Sequence, residues 1–294
     1  MKRRLAALTF LAAVAALVVA QPADADMLAP YKDGLFAYPA VLAEADGGRH
    51  VTVDYRESRD IDGRDEVPER RVWGNYVDLG VRRAQQDLVA ETTAGRIAHI
   101  ALGRQEKARF IVVYLHGQGG SRRQGMDDFT FGGNFNRIKN LAARNNGLYL
   151  TVDFPDFGAG GAGRVAALAG HYAARSPAAP VFIACGSMGG GLCWRLADDA
   201  GIAPRLGGLL LLGSHWDEGF FASRAFKRRV PLFFGHGGND KVYPVERQEA
   251  FFRAILKRAP DYPARFVRFE TGSHGTPIRM ADWRATLNWM AADR

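Results

Sequence analysis

The sequence has very few cysteines and, beyond its first residues, no long apolar run. Only Cys185 and Cys193 occur among its 294 residues, which excludes a small disulfide-stapled scaffold. After residue 25, no stretch reaches the roughly 20 apolar residues that a membrane-spanning helix needs. The chain is 47% hydrophobic and 24% charged, which excludes disordered and collagen-like chains and predicts a globular protein with a sizeable core.

Motifs for binding metals, nucleotides and nucleic acids are also missing. The sequence contains no H-E-x-x-H or C-x-x-C, so we expect no metal site and no cofactor. The glycine-rich segment 158–163 lacks the Lys-Ser/Thr pair of a phosphate-binding loop. Basic residues are scattered, without the aromatic-basic stripe of a nucleic-acid binder, and we expect no nucleic-acid partner.

Residues 1–25 have the pattern of an export signal. A basic head, Lys2 to Arg4, precedes an apolar run from Leu5 to Ala20, and Ala23-Asp24-Ala25 supplies a small-x-small cleavage site. A retained anchor is the alternative, but the apolar run is short for a spanning helix. We therefore expect the leader to be cleaved and the mature protein to be exported, periplasmic or secreted, with no stable membrane span.

Export affects how the remaining charges and cysteines are interpreted. Without the leader, the 39 basic residues become 36 and the 31 acidic residues become 30, so the net charge is a modest +6. In an oxidising compartment the two cysteines form either a disulfide or two buried thiols, and their spacing does not decide between these.

Between residues 106 and 294 the chain alternates short apolar runs with longer amphipathic stretches. This alternation predicts an α/β fold with a mostly parallel central sheet flanked by helices. The predicted strands are Phe110–Leu115, Leu148–Asp153, Val181–Cys185, Leu209–Leu212, Leu232–Phe234 and Arg265–Phe269. The predicted helices are Asn134–Asn145, Gly163–Ala174, Gly189–Ala200, Val245–Arg258 and Met280–Met290.

The segment 26–105 has a different pattern and is predicted to extend the same sheet. His50–Tyr55, Val72–Leu79 and Ile97–Leu102 have the composition of strands. The nearly all polar stretch 56–71 is expected to be a loop or an exposed hairpin. Antiparallel strands that extend one edge of the sheet would account for this segment without a second domain.

A serine follows the third predicted strand of the core. In Cys185-Gly186-Ser187-Met188-Gly189, small residues two before and two after the serine let the backbone turn sharply into the next helix. Such a turn exposes the hydroxyl as a nucleophile. Cys185 stands where a G-x-S-x-G motif has its first glycine, but cysteine is also small. By itself, the match also fits a glycine-rich connection without chemistry.

A serine nucleophile needs a base and an orienting acid, and both follow in the expected chain order. Asp240 lies in the loop after Leu232–Phe234, and His274 lies in the loop after Arg265–Phe269. We predict these two residues as acid and base. The less favoured alternatives are His50, His99, His116, His171, His215 and His236 for the base, and Asp153, Asp156, Asp217 and Glu218 for the acid.

The segment Leu115-His116-Gly117-Gln118-Gly119 closes the first strand of the core. Its backbone N–H groups can face the serine and, together with the Met188 N–H, stabilise the oxyanion of a tetrahedral intermediate. Gln118 is the predicted second donor, with Gly119 as the alternative.

Together these motifs resemble the α/β-hydrolase superfamily, in particular its compact carboxylesterase, phospholipase and thioesterase-like members. The resemblance covers residues 110–294. It implies the α/β-hydrolase fold, with Ser187 as nucleophile, Asp240 as acid, His274 as base and a structural role for Asp153. The connection Gly213–Val230 is too short for a large cap domain.

The pocket and the substrate are less well defined by the sequence. Trp216 and Phe220 are predicted to line the pocket, although such aromatic residues could equally pack against the sheet. Arg122 and Arg123 could meet an acidic leaving group or a phosphate, or lie on the surface. The expected function is hydrolysis of a small-molecule or lipid carboxylic ester through an acyl-enzyme. Thioester or peptide hydrolysis, or a non-catalytic binding protein on the same fold, are the alternatives.

Overall fold

The strands and helices of the core follow the apolar runs of the sequence. A computed structural model of the protein describes residues 26–66 and 70–292, so the predicted leader lies outside the described residues. The strands are β1 (Val41–Ala45), β2 (His50–Val53), β3 (Asp65–Glu66), β4 (Arg71–Val72), β5 (Gln85–Thr92), β6 (Gly95–Gly103), β7 (Ile111–Leu115), β8 (Leu148–Val152), β9 (Val181–Gly186), β10 (Leu206–Leu212), β11 (Leu232–Gly237) and β12 (Ala264–Phe269).

The helices lie mainly between these strands. They are α1 (Asp33–Phe36), α2 (Glu57–Asp60), α3 (Asn134–Arg144), α4 (Ala159–Arg175), α5 (Gly190–Leu196), α6 (Arg224–Lys227), α7 (Val245–Arg258), α8 (Thr276–Met280) and α9 (Trp283–Ala292). The predicted helix Met280–Met290 is in fact two helices, α8 and α9, and the predicted helix Gly189–Ala200 is shortened to α5. In the described part of the chain, no helix combines the length and the hydropathy needed to cross a membrane.

Ten of the strands form one sheet in the order β1-β2-β12-β11-β10-β9-β7-β8-β6-β5. The seven strands from β2 to β8 in this order run parallel to one another. Every residue of β7, β8, β9, β10 and β11 is buried, as expected for parallel strands covered by helices on both faces. The predicted fold class, a mostly parallel sheet flanked by helices, is confirmed.

The two faces of the sheet form two apolar cores. Successive side chains of a strand point to opposite faces, so Ile111 and Val113 pack with residues of α4, α5 and α7, whereas Val112 packs with residues of α3 and α9. Each fully buried large apolar side chain contributes roughly 1.5–3 kcal/mol to folding. The cores fix the strand ends, from which the loops of the site project.

The N-terminal segment extends both edges of the sheet, whereas the sequence pattern had indicated one edge. β1 and β2 lie beyond β12, and β5 and β6 lie beyond β8 at the opposite edge. β6 is antiparallel to β8 and to β5, as expected, but β2 is parallel to β12. Periodicity identifies a strand but not its partner, because the pairing residues are far apart in the chain.

The polar stretch 56–71 ends in an antiparallel hairpin of β3 with β4, one of the two expected forms, but three of its charged residues are buried, which its composition did not predict. Its described residues form α2, β3 and the first residue of β4, and β3 pairs with β4. Asp60, Arg64 and Asp65 are buried. The Arg279 guanidinium in α8 binds both carboxylate oxygens of Asp65, and its Nε donates to the Asp60 carbonyl oxygen at 2.8 Å. These charges can be buried because they are paired.

The predicted strand Val72–Leu79 is also wrong over most of its length. Only Arg71–Val72 pairs as a strand, and a 3-10 turn follows at Gly74–Tyr76. The Val72 N–H donates to the Phe129 carbonyl oxygen, so this segment is attached to the loop before α3.

Candidate active site

Ser187 lies on a sharp turn between β9 and α5. Its backbone has φ of +51°, in the left-handed region that residues other than glycine rarely adopt. Gly189 allows this turn, because a Cβ there would lie 2.8 Å from the carbonyl oxygens of Leu115 and His116. The turn raises the serine hydroxyl above the carboxyl end of the parallel strands, where sites of α/β sheets lie.

Three loops bring Ser187, His274 and Asp240 together. The His274 Nδ1 lies 2.8 Å from Asp240 Oδ2, and the His274 Nε2 lies 2.7 Å from Ser187 Oγ. Since the carboxylate accepts from Nδ1–H, Nε2 is left to accept the serine proton. Among the described histidines, only His274 has a ring nitrogen at hydrogen-bonding distance from Ser187 Oγ. The three residues predicted from sequence therefore form one hydrogen-bonded chain.

The Asp240 side chain is fully buried and is held from several directions. Its Oδ1 accepts the N–H groups of Val242 at 2.8 Å and Tyr243 at 3.0 Å. His236 donates from Nε2 to the Tyr243 carbonyl oxygen, and this nitrogen lies 3.3 Å from Asp240 Oδ2. Burial alone would raise the pKa of the Asp240 carboxyl, but the hydrogen bonds from His236, His274 and the backbone hold its pKa well below the usual range.

The loop after β7 passes directly over Ser187. A Cβ on Gly117 would lie 2.8 Å from Ser187 Cβ, so only glycine fits where the loop and the serine meet. In the described part of the chain, no group accepts a hydrogen bond from the Gln118 N–H. Met188 is in the first turn of the helical segment that follows Ser187, where backbone N–H groups lack helical acceptors. Both predicted oxyanion donors are thus next to the nucleophile.

Arg122 holds this loop and does not extend into the site. Its backbone N–H donates to Asp153 Oδ1 at 2.6 Å, its Nη1 binds Asp153 Oδ2, and its Nη2 lies 3.1 Å from Asp87 Oδ2. The idea that Arg122 meets an acidic leaving group is therefore wrong. Asp153 connects the end of β8 to the loop. Asp87 in β5 was not found from sequence, because nothing in the neighbouring residues marks it as a partner of Arg122.

Ser214 is a second residue that the sequence analysis missed. It follows β10, is buried, and its hydroxyl lies 2.8 Å from the Ser187 carbonyl oxygen and 3.2 Å from that of Cys185. Cys185 also forms a disulfide with Cys193 in α5, with the two Cα atoms 6.3 Å apart. The strained turn is thus held on both sides, by a hydroxyl and by a covalent bond.

A cavity of about 580 Å³ opens next to Ser187, with Met188 and Trp216 in its wall. Phe220 does not line it, which corrects the sequence-based expectation. Phe220 is 1% exposed, and its ring packs against Trp194 and Tyr262 in the core. The two aromatic residues are four apart in the same connection, and composition could not tell which one faces the core. No group of three or more potential metal ligands occurs among the described residues.

Comparisons with known proteins identify the fold of the chain. No family model and no curated protein matches the chain. Among solved structures, the Pyrococcus furiosus esterase Pf2001 has a TM-score of 0.54 at 14% identity, covering 76% of this chain and 97% of that one. An alpha-beta serine hydrolase homologue from Coxiella burnetii has a TM-score of 0.52 at 17% identity, covering 69% and 95%.

These similarities show that the chain has the α/β-hydrolase fold, as the resemblance implied. The fold is present in a compact form, because the connection between β10 and β11 holds only a 3-10 turn and the four-residue helix α6. The predicted absence of a large cap agrees with this connection.

Proposed function

We propose that the protein is a serine hydrolase that cleaves a carboxylic ester through an acyl-enzyme. The observation that carries this proposal is the continuous chain of hydrogen bonds from Ser187 through His274 to the buried Asp240. A serine hydroxyl is a weak nucleophile, and a neutral imidazole oriented by a carboxylate is the arrangement that activates it. The esterase activity named for the similar Pf2001 structure supports an ester over a thioester or an amide.

In the first half of the reaction, Ser187 Oγ attacks the ester carbonyl carbon while His274 Nε2 takes the serine proton. The carbonyl oxygen becomes an oxyanion, which accepts hydrogen bonds from the N–H groups of Met188 and Gln118. The intermediate then collapses. The bond to the alcohol oxygen breaks, His274 returns the proton to that oxygen, and the alcohol leaves an acyl group on Ser187.

In the second half, water replaces the alcohol. His274 takes a proton from water, the resulting hydroxide attacks the acyl carbon, and the same N–H groups hold the second oxyanion. When the bond to Ser187 Oγ breaks, His274 protonates that oxygen and the acid leaves. Asp240 remains ionised throughout and stabilises the imidazolium, for which its low pKa suits it.

We also propose that the protein is exported and that its leader is removed after Ala25. The basic head, apolar run and Ala23-Asp24-Ala25 sequence support this proposal. Intact mass measurement of protein recovered from outside the cytoplasm should give a chain that begins at Asp26. Recovery only from the membrane, with residues 1–25 still attached, would contradict cleavage.

The catalytic proposal is tested by labelling with a fluorophosphonate, which reacts with an activated serine whatever the natural substrate. Wild type should be labelled, and Ser187→Ala should not. Ser58→Ala is the matched control, because Ser58 is exposed in α2 and lies outside the site. Equal labelling of the Ser187→Ala variant would reject the nucleophile, and no labelling of folded wild type would reject the enzyme.

A further inference from the structure

The cavity beside Ser187 is built from four loops at the carboxyl ends of neighbouring strands. Phe157 follows β8, Met188 follows β9, Trp216 follows β10 and Tyr243 follows β11. Its volume of about 580 Å³ lies within the range of roughly 300–1,000 Å³ that is typical of small-molecule sites. The Tyr243 ring centroid is 5.6 Å from that of His274, so the cavity is next to the reacting atoms.

Of the eight residues that line this cavity, three are aromatic and a fourth is His215. Phe157, Trp216 and Tyr243 are all partly exposed there, and Met188 adds a flexible apolar surface. The His215 ring lies 5.6 Å from the Tyr243 ring, and burial lowers the pKa of His215, which favours the neutral imidazole. Such walls favour a flat apolar group, because aromatic faces stack well on one another.

Two arginines bring positive charge to this cavity. Arg195 lines it, and the Arg247 guanidinium lies 4.8 Å from the centre of the Trp216 ring. Both side chains are exposed, and no carboxylate among the described residues lies within 4 Å of either guanidinium. The opposing charge in the wall is Asp217, whose Oδ1 already accepts the Gly219 N–H at 2.8 Å. Arg195 also interacts electrostatically with the exposed carboxylate of Asp156 but forms no ion pair with it, so both guanidinium groups leave donors open to a ligand.

The spacing of the wall residues determines how far the Arg195 guanidinium lies from the reacting Ser187. Met188, Gly191 and Arg195 all line the cavity and are three and four residues apart, so they lie along one side of the helical segment after Ser187. At about 1.5 Å per residue, Arg195 begins roughly 10 Å along the axis from Met188. Helical side chains lean towards the N-terminus, so its guanidinium can reach back over a group about one aromatic ring in length.

We propose that this cavity selects esters in which an aromatic group within a few bonds of the scissile bond carries a carboxylate. The aromatic ring would pack against Trp216 and Tyr243, and the carboxylate would accept hydrogen bonds from Arg195, with Arg247 adding attraction from the rim. Arginine suits this role because its planar donors match a carboxylate. The inference rests on the proposed ester hydrolysis and adds the substrate class.

The test compares matched esters that differ only in charge. One pair is 4-(carboxymethyl)phenyl acetate and its neutral carboxamide, which puts the ring on the alcohol side. The other pair is methyl 3-(4-carboxyphenyl)propanoate and its carboxamide, which puts the ring on the acyl side. In at least one pair, wild type should favour the carboxylate in kcat/KM by about fivefold, the size of a partly exposed ion pair.

Variants test whether the preference for a carboxylate depends on Arg195 or on any exposed arginine. Arg195→Gln should abolish the preference and Arg195→Glu should reverse it. Arg258→Gln should retain it, since Arg258 is also exposed and stacks on an aromatic ring, 4.0 Å from the centre of Phe221, but does not line the cavity. Raising the ionic strength should weaken the preference of wild type, because exposed charges are screened.

Fluorophosphonate labelling of every variant distinguishes the two possible failures. If wild type is labelled but prefers neither carboxylate, or hydrolyses none of the four esters, the substrate class is wrong and the proposed enzyme survives. The substrate class is also wrong if labelled Arg195→Gln keeps the preference. If folded wild type is not labelled, the proposed function fails and the substrate class fails with it.

Discussion

Gly117 is the residue through which the loop after β7 touches the nucleophile, and Gly117→Ala tests how accurately that loop must be held. The added Cβ would lie 2.8 Å from Ser187 Cβ and 3.3 Å from the Gly186 carbonyl oxygen. Ordinary contacts begin at 3.4 Å, so the loop and the serine must separate by 0.6 Å, the difference between 3.4 Å and 2.8 Å. The Gln118 N–H moves with the loop.

This displacement converts into an expected loss of rate. A misplacement of 1 Å in an active site can cost about 100-fold, so 0.6 Å should lower kcat by about tenfold to 100-fold. That corresponds to about 1.4–2.7 kcal/mol of barrier. KM should change little, because the oxyanion contact forms mainly in the transition state. Overpacking should also lower the free energy of unfolding by about 1–3 kcal/mol, which leaves a typical protein folded.

The assay is ester hydrolysis with 4-nitrophenyl acetate, with active serines counted by fluorophosphonate and folding followed by urea titration. Gly163→Ala is the matched control, because Gly163 is exposed in α4 and an added Cβ would meet nothing within 4 Å. This control should keep its kcat and gain a few tenths to about 1 kcal/mol of stability. A folded Gly117→Ala protein with kcat within twofold of wild type would refute the reasoning.

Three further predictions concern the disulfide and the buried charges. Replacing Cys185 and Cys193 together by alanine should lower the free energy of unfolding by about 2–3 kcal/mol in urea, because an eight-residue separation is closed by the disulfide; free thiols in denatured, unreduced wild type would contradict this. Because the pKa of Asp240 is lowered on folding, its stabilising contribution is complete above the unfolded pKa of about 3.9 and is lost as the pH falls towards the folded pKa. Wild type should therefore lose stability below about pH 4 more steeply than Asp240→Asn, and parallel curves would exclude this. Arg279→Ala should cost about 3–5 kcal/mol by leaving the Asp65 carboxylate buried and unpaired, whereas Arg279→Met with Asp65→Leu should cost clearly less in the same urea titration.

The core strands could be predicted because each one is a buried apolar run bounded by turn residues. β7 to β12 begin or end within a few residues of the predicted positions, and α7 has the predicted bounds. Ser187, Asp240 and His274 could be chosen for a related reason: each lies just after a core strand, and the carboxyl ends of parallel strands meet at one edge of the sheet. The structure joins them by hydrogen bonds, and their catalytic roles stay predictions.

The sequence does not reveal the role of a residue whose partner lies far away in the chain. Asp65 appears as one more charge in a polar stretch, and only Arg279, 214 residues later, makes its burial possible. Asp87 and Ser214 have the same character, since each acts on a loop from another part of the chain. The prediction that Phe220 lines the pocket was wrong for a different reason. The same short connection has one aromatic residue facing the cavity and others facing the core.

The position of β2 beside β12 affects when this edge of the sheet can form. An early segment of the chain contacts a late one: β2 lies beside β12, and the Leu28 N–H donates to Asn288, 260 residues later. Until β12 has been made, β2 lacks this partner and the edge of β11 that β12 covers is open. The β2–β12 pairing must therefore wait until β12 has been made, and such non-local pairing is slow. The N-terminal segment is therefore expected to join this edge of the sheet late in folding, after the central parallel strands have found their partners.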